Sequence, residues 1–366
     1  MYGLYFLNNR EHHYVPQFYL KSFSCLPKRI HLYNLNRNLA IKGVSIKNQC
    51  RRKHFYGENN EVEKSLADLE NIIALSLKYI LNNMKVPEKN GEHIPLYLFV
   101  ALQLLRTKRS ANKINQLIDI IHKKVLTLDS KFNDVDIEEY EFGYDTPSIM
   151  SLKLLPEMAE AIDDLDIHLV IIKNNRSFIT SDNPVIRYNQ YCEGIPDVGT
   201  NGGLSRGLQI FLPLSPKLLL ILYDENIYKV SSKKLLMSNS ATNNDIESLN
   251  LFQVISAEDN LYFSEWDEKD KIKKLVAQSE SVDSLDDIQE KEYAEVGNED
   301  KSRIIQTFEL VPNMKLNLSF LKVRREASRI PNKSRIRQLR KRLPKKYYRD
   351  QDDERESEIR YYRPIS

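Results

Sequence analysis

Two short segments of this chain combine side chains that can carry chemistry with a proline that fixes the backbone. They are HYVPQFYL at residues 13–20 and SDNP at residues 181–184. The imidazole of His13 could act as a general base, bind a metal ion or hold a phosphate oxygen. Asp182 could supply a carboxylate as base or metal ligand, and Asn183 could orient a substrate. Because the prolines hold these groups still, the three residues are the leading catalytic candidates.

Each segment also has a purely structural interpretation. At the entry to a short helix, His13 could donate a hydrogen bond to a backbone carbonyl. The polar side chains of SDNP could cap backbone groups where a strand runs into a turn. We expect the neighbouring His12 to be exposed. Ser181 lacks the flanking glycines of a nucleophile elbow, which makes it a weaker nucleophile candidate.

Basic residues provide further candidates for binding. The segment RRKHFY at residues 51–56 interleaves cations and rings, which can grip a phosphate backbone and stack a base. An exposed loop is the alternative. Arg106 follows an apolar pair on a predicted helix, so its guanidinium could stabilise transition-state charge or clamp a phosphate at the edge of the core. An internal ion pair with Glu70 explains Arg106 equally well. The predicted substrate-binding residues are Tyr14, Gln17, Arg52, His54 and Gln103.

The sequence contains no complete metal-binding or nucleotide-binding motif. Four glycines between residues 199 and 207 lack the ending of a P-loop and do not join a strand to a helix, so they indicate a hairpin or lid. Structural zinc is not expected, because the sequence has no HExxH motif and no Cys/His quartet. The dense acidic cluster of two-metal nucleases is also absent. The cofactor is left open, with a divalent metal ion as one option.

The elements that must position these residues are predicted from apolar spacing and turn residues. Helices are predicted at 17–23, 60–84, 94–126, 146–161 and 233–250. Strands are predicted at 29–35, 39–46, 166–172, 176–180, 208–212 and 218–223, with one more inside 251–263. This order predicts an α+β fold in which a helical N-terminal half packs on a mainly antiparallel sheet.

Composition limits the class of protein without identifying it. The 366 residues are 41% hydrophobic and 29% charged, with a net charge of +3, so charge alone favours no partner. Three widely spaced cysteines fit a reducing compartment. No leader or membrane span is recognised, and we expect a cytoplasmic protein.

The chain divides by composition into three parts. We predict a main domain over 1–265, an acidic linker over 266–303, and a C-terminal part over 304–366 that contains a strand followed by a charged tail. Residues 333–349 carry only basic charges and few apolar anchors. They are expected to form a solvated basic arm that adds affinity for nucleic acid, unless the acidic residues after them fold back and neutralise the arm.

Four segments occur in a recognisable order: HYVPQFYLKSF, ITSDNPV, PLSPK and IESLN. Together they resemble the bacterial family catalogued as domain of unknown function 4238, over roughly residues 11–265. The resemblance supports a site at these segments. It implies no established activity.

Taken together, these residues favour a cytoplasmic hydrolase of phosphodiester bonds in nucleic acid, a nuclease that works in bacterial defence or as a toxin. The alternative is a non-catalytic module that binds nucleic acid or a protein through the same pocket. No membrane partner is expected, and the oligomeric state is left open. Catalysis requires the HYVP and SDNP segments to meet and Arg106 to line the pocket between them.

Overall fold

The computed structural model describes residues 11–58, 61–87, 91–195, 199–230, 237–238, 241–282, 288–294, 303–309, 312, 314–335, 338–340 and 363–364. Within these ranges the helices are α1 (Gln17–Leu20), α2 (Glu61–Asn83), α3 (Ile94–Leu105), α4 (Lys108–Thr127), α5 (Pro147–Leu152), α6 (Leu155–Ile162), α7 (Asn243–Ser256), α8 (Lys269–Ser279), α9 (Arg325–Ser328) and α10 (Asn332–Arg335). The strands are β1 (Glu11–His13), β2 (Arg29–Asn34), β3 (Leu39–Ser45), β4 (Arg51–Lys53), β5 (Asp166–Ile171), β6 (Thr180–Ser181), β7 (Ile186–Tyr188), β8 (Gln209–Ser215), β9 (Leu218–Tyr223), β10 (Tyr228–Val230), β11 (Met237–Ser238), β12 (Asn260–Phe263), β13 (Ile288–Ala294), β14 (Arg303–Glu309), β15 (Leu321–Val323) and β16 (Arg363–Pro364).

The helical half is built on α2 and α3. The buried positions of α2 are Leu66, Ile73, Leu77 and Ile80, which recur at the spacing of one helix face and confirm the helix predicted over 60–84. Most residues of α3 are buried, because this helix lies inside the main hydrophobic core. The core extends from α3 onto the inner face of the sheet.

The single long helix predicted over 94–126 is wrong, because the chain breaks at Arg106 and Thr107. Thr107 adopts an extended conformation, and its hydroxyl accepts a hydrogen bond from the backbone N–H of Ser110. A threonine in this position starts a new helix by satisfying one of its unpaired N–H groups. The helix predicted over 146–161 likewise divides into α5 and α6, each with a proline in its first turn.

Two antiparallel sheets support the site. In the first, β5, β9, β8 and β7 are neighbours in that order, and every residue of β9 is buried. The second sheet has the order β3, β2, β12 and β6. Its edge strand β6 pairs Thr180 and Ser181 with β12, so the strand predicted over 176–180 is much shorter than expected. Helices and mostly antiparallel sheets confirm the α+β class.

Helix α7 begins later than predicted. Thr242 and Asp245 form a capping box, in which each side chain accepts from the backbone N–H of the other, and the helix runs from Asn243 to Ser256. Upstream, Met237–Ser238 is a strand that pairs in parallel with β5. The remaining residues between 231 and 240 lie outside the described part of the chain.

Two stretches of the predicted acidic linker over 266–303 are regular structure. Helix α8 buries Ile272 in a small apolar cluster, and β13 pairs with β14 along its whole length. Further on, β15 pairs with β10, and Phe320 is fully buried. The C-terminal part therefore contributes to the core, while the proposed domain limits remain predictions.

Candidate functional site

The HYVPQFYL segment meets the strand that leads into SDNP, and buried hydroxyl groups make the contact. Tyr19 Oη lies 2.7 Å from Thr180 Oγ1 and donates a hydrogen bond of 2.6 Å to the carbonyl of Pro213. These contacts connect the first segment to both the second and the PLSPK strand. We call this region, which joins residues 12–22 to residues 180–184, the block junction.

The His13 ring is held by two neighbours. Its Nδ1 lies 3.2 Å from the carbonyl oxygen of Gln49, and its Nε2 lies 3.0 Å from the side-chain nitrogen of Gln17. This arrangement requires the neutral tautomer with its proton on Nδ1, which donates to the carbonyl. Burial lowers the pKa of His13 and so favours that neutral form. Both ring nitrogens are therefore used inside the protein, as the structural interpretation expected.

Arg106 is enclosed in the junction with 1% of its surface exposed. Its guanidinium donates to Glu70 Oε1 and to the backbone oxygen of His13, both at 2.5 Å, and to the hydroxyl of Tyr56 at 3.2 Å. The internal ion pair with Glu70 is thus confirmed. The prediction that Arg106 lines a substrate pocket is wrong, because its three nitrogens all bind protein groups.

Asp182 closes the turn after β6. Its two carboxylate oxygens accept hydrogen bonds of 2.8–2.9 Å from the backbone N–H groups of Glu258, Asp259 and Asn260. Burial raises the pKa of Asp182 to about 6, although the three N–H groups favour the charged form. The carboxylate shares no hydrogen bond with His13. Each of the two predicted catalytic side chains is instead hydrogen-bonded to other protein groups.

Amide and hydroxyl side chains of helix α7 form hydrogen bonds with the SDNP turn. Gln253 accepts a hydrogen bond from Ser181 Oγ and donates to the carbonyl of Pro184. The amide nitrogen of Asn183 donates to Ser256 at both its carbonyl and its hydroxyl oxygen. These side chains cap the turn, which explains why polar residues are required there.

Four of the remaining predicted binding residues lie on or beside β1 and β4. Arg52 is exposed on β4, where the backbone pairs with His12. His54 is half-buried and has a positive φ of 52°. Tyr14 packs its ring on Phe55. Gln17 binds the His13 ring, as described above.

Two residues depart from expectation in their burial. His12 is fully buried and stacks on Tyr56, whose backbone N–H donates to His12 Nδ1, so the prediction of an exposed side chain is wrong. Gln103 is fully buried on α3, and within the described residues its side-chain amide has no hydrogen-bond partner. Neither residue lines either of the two cavities described below.

Asn183 also borders a cavity of about 440 Å³, which is lined by residues of α3, α4, the segment 183–187 and the loop 199–202. We call it the α4 cavity. Its walls combine apolar residues such as Leu104 and Phe252 with polar ones. Of the predicted site residues, Asn183 alone is among the described lining residues.

Cations dominate the charged lining of the α4 cavity. Arg109 and Lys113 come from adjacent turns of α4, and Arg187 comes from β7. The described lining residues include no aspartate or glutamate. Arg109 is 5% exposed, and its Nη1 donates to the carbonyls of residues 255–257 at the end of α7, which fixes its position. Sequence reasoning missed this cluster, although cations four residues apart on one helix were a usable signal.

Residues 338–340 are hydrogen-bonded to residues 204–205, which follow the loop that lines this cavity. Arg340 donates to both carboxylate oxygens of Asp164, at 2.8 and 2.9 Å, and to the carbonyl of Ser205. Its own backbone N–H donates to Leu204, and Leu339 bridges to Ser205. We call residues 338–340 the C-terminal strap.

The prediction of a solvated arm over 333–349 is therefore wrong for two of its basic residues, Arg335 and Arg340. Arg340 is 7% exposed, and Arg335 donates to the carbonyls of Ser328, Ile330 and Tyr191. Residues 341–362, which include most of the arm, lie outside the described residues.

The described residues contain no group of three or more His, Cys, Asp and Glu side chains placed to hold a metal ion. They also contain no helix that is both long and apolar enough to cross a bilayer.

Within the described residues, fold and site together define an α+β protein with a cavity lined by cations beside a tightly paired polar junction. The chain belongs to the family described as protein of unknown function, DUF4238, whose model matches residues 11–267. No curated protein and no solved structure matches the chain.

Proposed function

We propose that this protein is a non-catalytic binding module that holds a phosphate-bearing nucleotide unit, free or at the end of a single strand, in the α4 cavity. The observation that carries the proposal is the lining: Arg109, Lys113 and Arg187 without a described carboxylate. Phosphate oxygens are the ligands that such a set of cations attracts most strongly.

The rest of the cavity suits a base and a sugar. A volume of about 440 Å³ falls in the usual range for small-ligand pockets. Leu104, Ile114 and Phe252 offer apolar surface for a base. Ser110 and Asn201 add hydrogen-bonding groups beside the cations.

A nuclease built on His13 and Asp182 has less geometric support. Each of the two side chains is hydrogen-bonded to other protein groups, and Arg106 is bound to Glu70. Catalysis at these residues would require breaking those bonds first. The nuclease and its role in defence or as a toxin remain a hypothesis, and a cytoplasmic location is part of our proposal.

The experiment measures binding to the full chain by calorimetry with the four ribonucleoside monophosphates, and by fluorescence anisotropy with a labelled single-stranded hexanucleotide. The double variant Lys113→Gln, Arg187→Gln removes two cations from the cavity. Lys78→Gln is the control, because Lys78 is exposed on α2, away from the cavity. We expect the double variant to weaken binding by at least about 100-fold, since each lost charged contact contributes about 1.5–3 kcal/mol.

Salt dependence and product analysis separate the outcomes. Affinity for the hexanucleotide should fall with salt by about 0.7 in log–log slope for each phosphate bound, and the slope should be smaller in the double variant. Equal binding by the double variant, or no binding of any probe, would refute the proposal. Shortening of the labelled strand by the wild-type chain would instead favour the nuclease.

A further inference from the structure

A second cleft lies between α7 and α8. It has a volume of about 340 Å³, and Ile179, Ile246 and Ile272, each about 1% exposed, belong to its lining. We call it the α7–α8 cleft. An apolar floor of this kind suits an aliphatic side chain.

One buried carboxylate faces this cleft. Glu268 is 7% exposed and lines it, and within the described residues its Oε2 has no hydrogen-bond partner. Burial raises the pKa of Glu268, and the nearby charge of Lys271 opposes that effect. A buried acceptor without a partner is costly, so a donor supplied by a ligand would gain a strong hydrogen bond there.

The rim of the α7–α8 cleft carries both acidic and basic side chains. Glu247 is already paired with Arg176 at 3.2 Å. Lys271 and Lys274 are exposed on α8 beside the cleft. A ligand must therefore bring a donor for Glu268 and an acceptor for the two lysines.

We propose that the α7–α8 cleft binds a small zwitterion, an aliphatic α-amino acid or dipeptide, whose ammonium group donates to Glu268 and whose carboxylate lies between Lys271 and Lys274. Its side chain packs on the three isoleucines. This site is separate from the α4 cavity and does not depend on the nucleotide proposal.

The test follows thermal unfolding and calorimetry of the full chain with L-leucine, L-valine and Leu-Leu. Two halves of leucine serve as matched probes: isopentylamine lacks the carboxylate, and 4-methylpentanoate lacks the amine. We expect saturable binding of at least one of the three zwitterions. Each half should bind at least about tenfold more weakly than leucine, since one charged contact is lost.

The variant Glu268→Gln removes the charge while keeping the shape, and Glu265→Gln, at an exposed neighbouring position, is its control. Glu268→Gln should abolish the ligand-induced rise in Tm without lowering the Tm of the unliganded chain. Unchanged leucine binding in this variant would overturn the proposal. A lowered Tm with the leucine response retained would also overturn it, by assigning Glu268 a structural role. So would the absence of binding by all three zwitterions.

Discussion

In the block junction the Asp182 carboxylate is enclosed by three backbone N–H groups, whereas in the α4 cavity Arg109 and Lys113 border an open volume of about 440 Å³. The junction contains the residues that a search for catalytic types selects first. Its polar atoms are nevertheless paired with other protein atoms, which is how buried polar groups stabilise a unique fold. The comparison teaches that a proline-fixed polar motif can connect distant segments of the chain, while a group of cations borders a cavity elsewhere in the fold.

The strongest test of this difference is Arg106→Met. Removing one partner of a buried ion pair leaves the other groups unsatisfied, so we expect the free energy of unfolding to fall by about 3–5 kcal/mol. Chemical denaturation measures the loss. Nucleotide binding per folded molecule should persist, because Arg106 does not line the α4 cavity. A variant that keeps its stability but loses ligand binding would reverse our assignment of Arg106.

Asp182→Asn tests the junction through pH. The pKa of Asp182 rises from 3.8 to about 6 on folding, so the folded chain binds more protons between these values. Stability from this group is therefore present at low pH and is lost as pH rises from about 4 to 6, by about 3 kcal/mol. In denaturation curves measured from about pH 4 to 6, Asp182→Asn should not show this loss of stability. An identical pH profile in both proteins would contradict the prediction.

The pKa of His13 shifts in the opposite direction, so the two groups can be separated. Because burial lowers the pKa of His13, its contribution is present above about 6.5 and is lost as pH falls through its folded value. His13→Gln in the Asp182→Asn background should remove that acid-side loss. The double variant then gives the flattest profile.

Arg340→Gln tests whether the C-terminal strap supports the cavity wall. Loss of the ion pair with Asp164 should reduce the free energy of unfolding by about 2 kcal/mol. This loss is smaller than that expected for Arg106→Met, because it opens only the strap and the loop beside it. Hydrogen exchange of the loop 199–207 should accelerate, while α2 stays protected. Uniform acceleration across the chain would mean that the strap stabilises the whole fold instead.

The smallest effect on stability is expected inside the α4 cavity. Leu117→Phe fills part of the space and should change the free energy of unfolding by about 0.5 kcal/mol in either direction. Binding of nucleotide should nevertheless be lost, because the ligand and the added ring compete for one volume. Thermal unfolding and calorimetry check the two expectations, and retained binding would place the ligand elsewhere.

Much of the fold could be predicted from local patterns. The apolar spacing of α2 is a property of one short segment, and so is the residue pattern of β2. Tertiary contacts reinforce both. The break between α3 and α4 was harder to predict, because apolar residues at helical spacing occur on both sides of it. Thr107 is a recognisable cap, but the buried contacts of Arg106 are formed with residues distant in the chain.

The sequence by itself determined the α+β class and the family, and its local patterns were enough to predict α2. The tertiary structure decided which partners the polar groups take and which segments border a cavity. The reason is physical: the partners of Asp182 lie 76–78 residues away, and the α4 cavity is assembled from segments between residues 104 and 307. Residue type defines what a side chain can bind, whereas only the packed chain determines whether that capacity is already used.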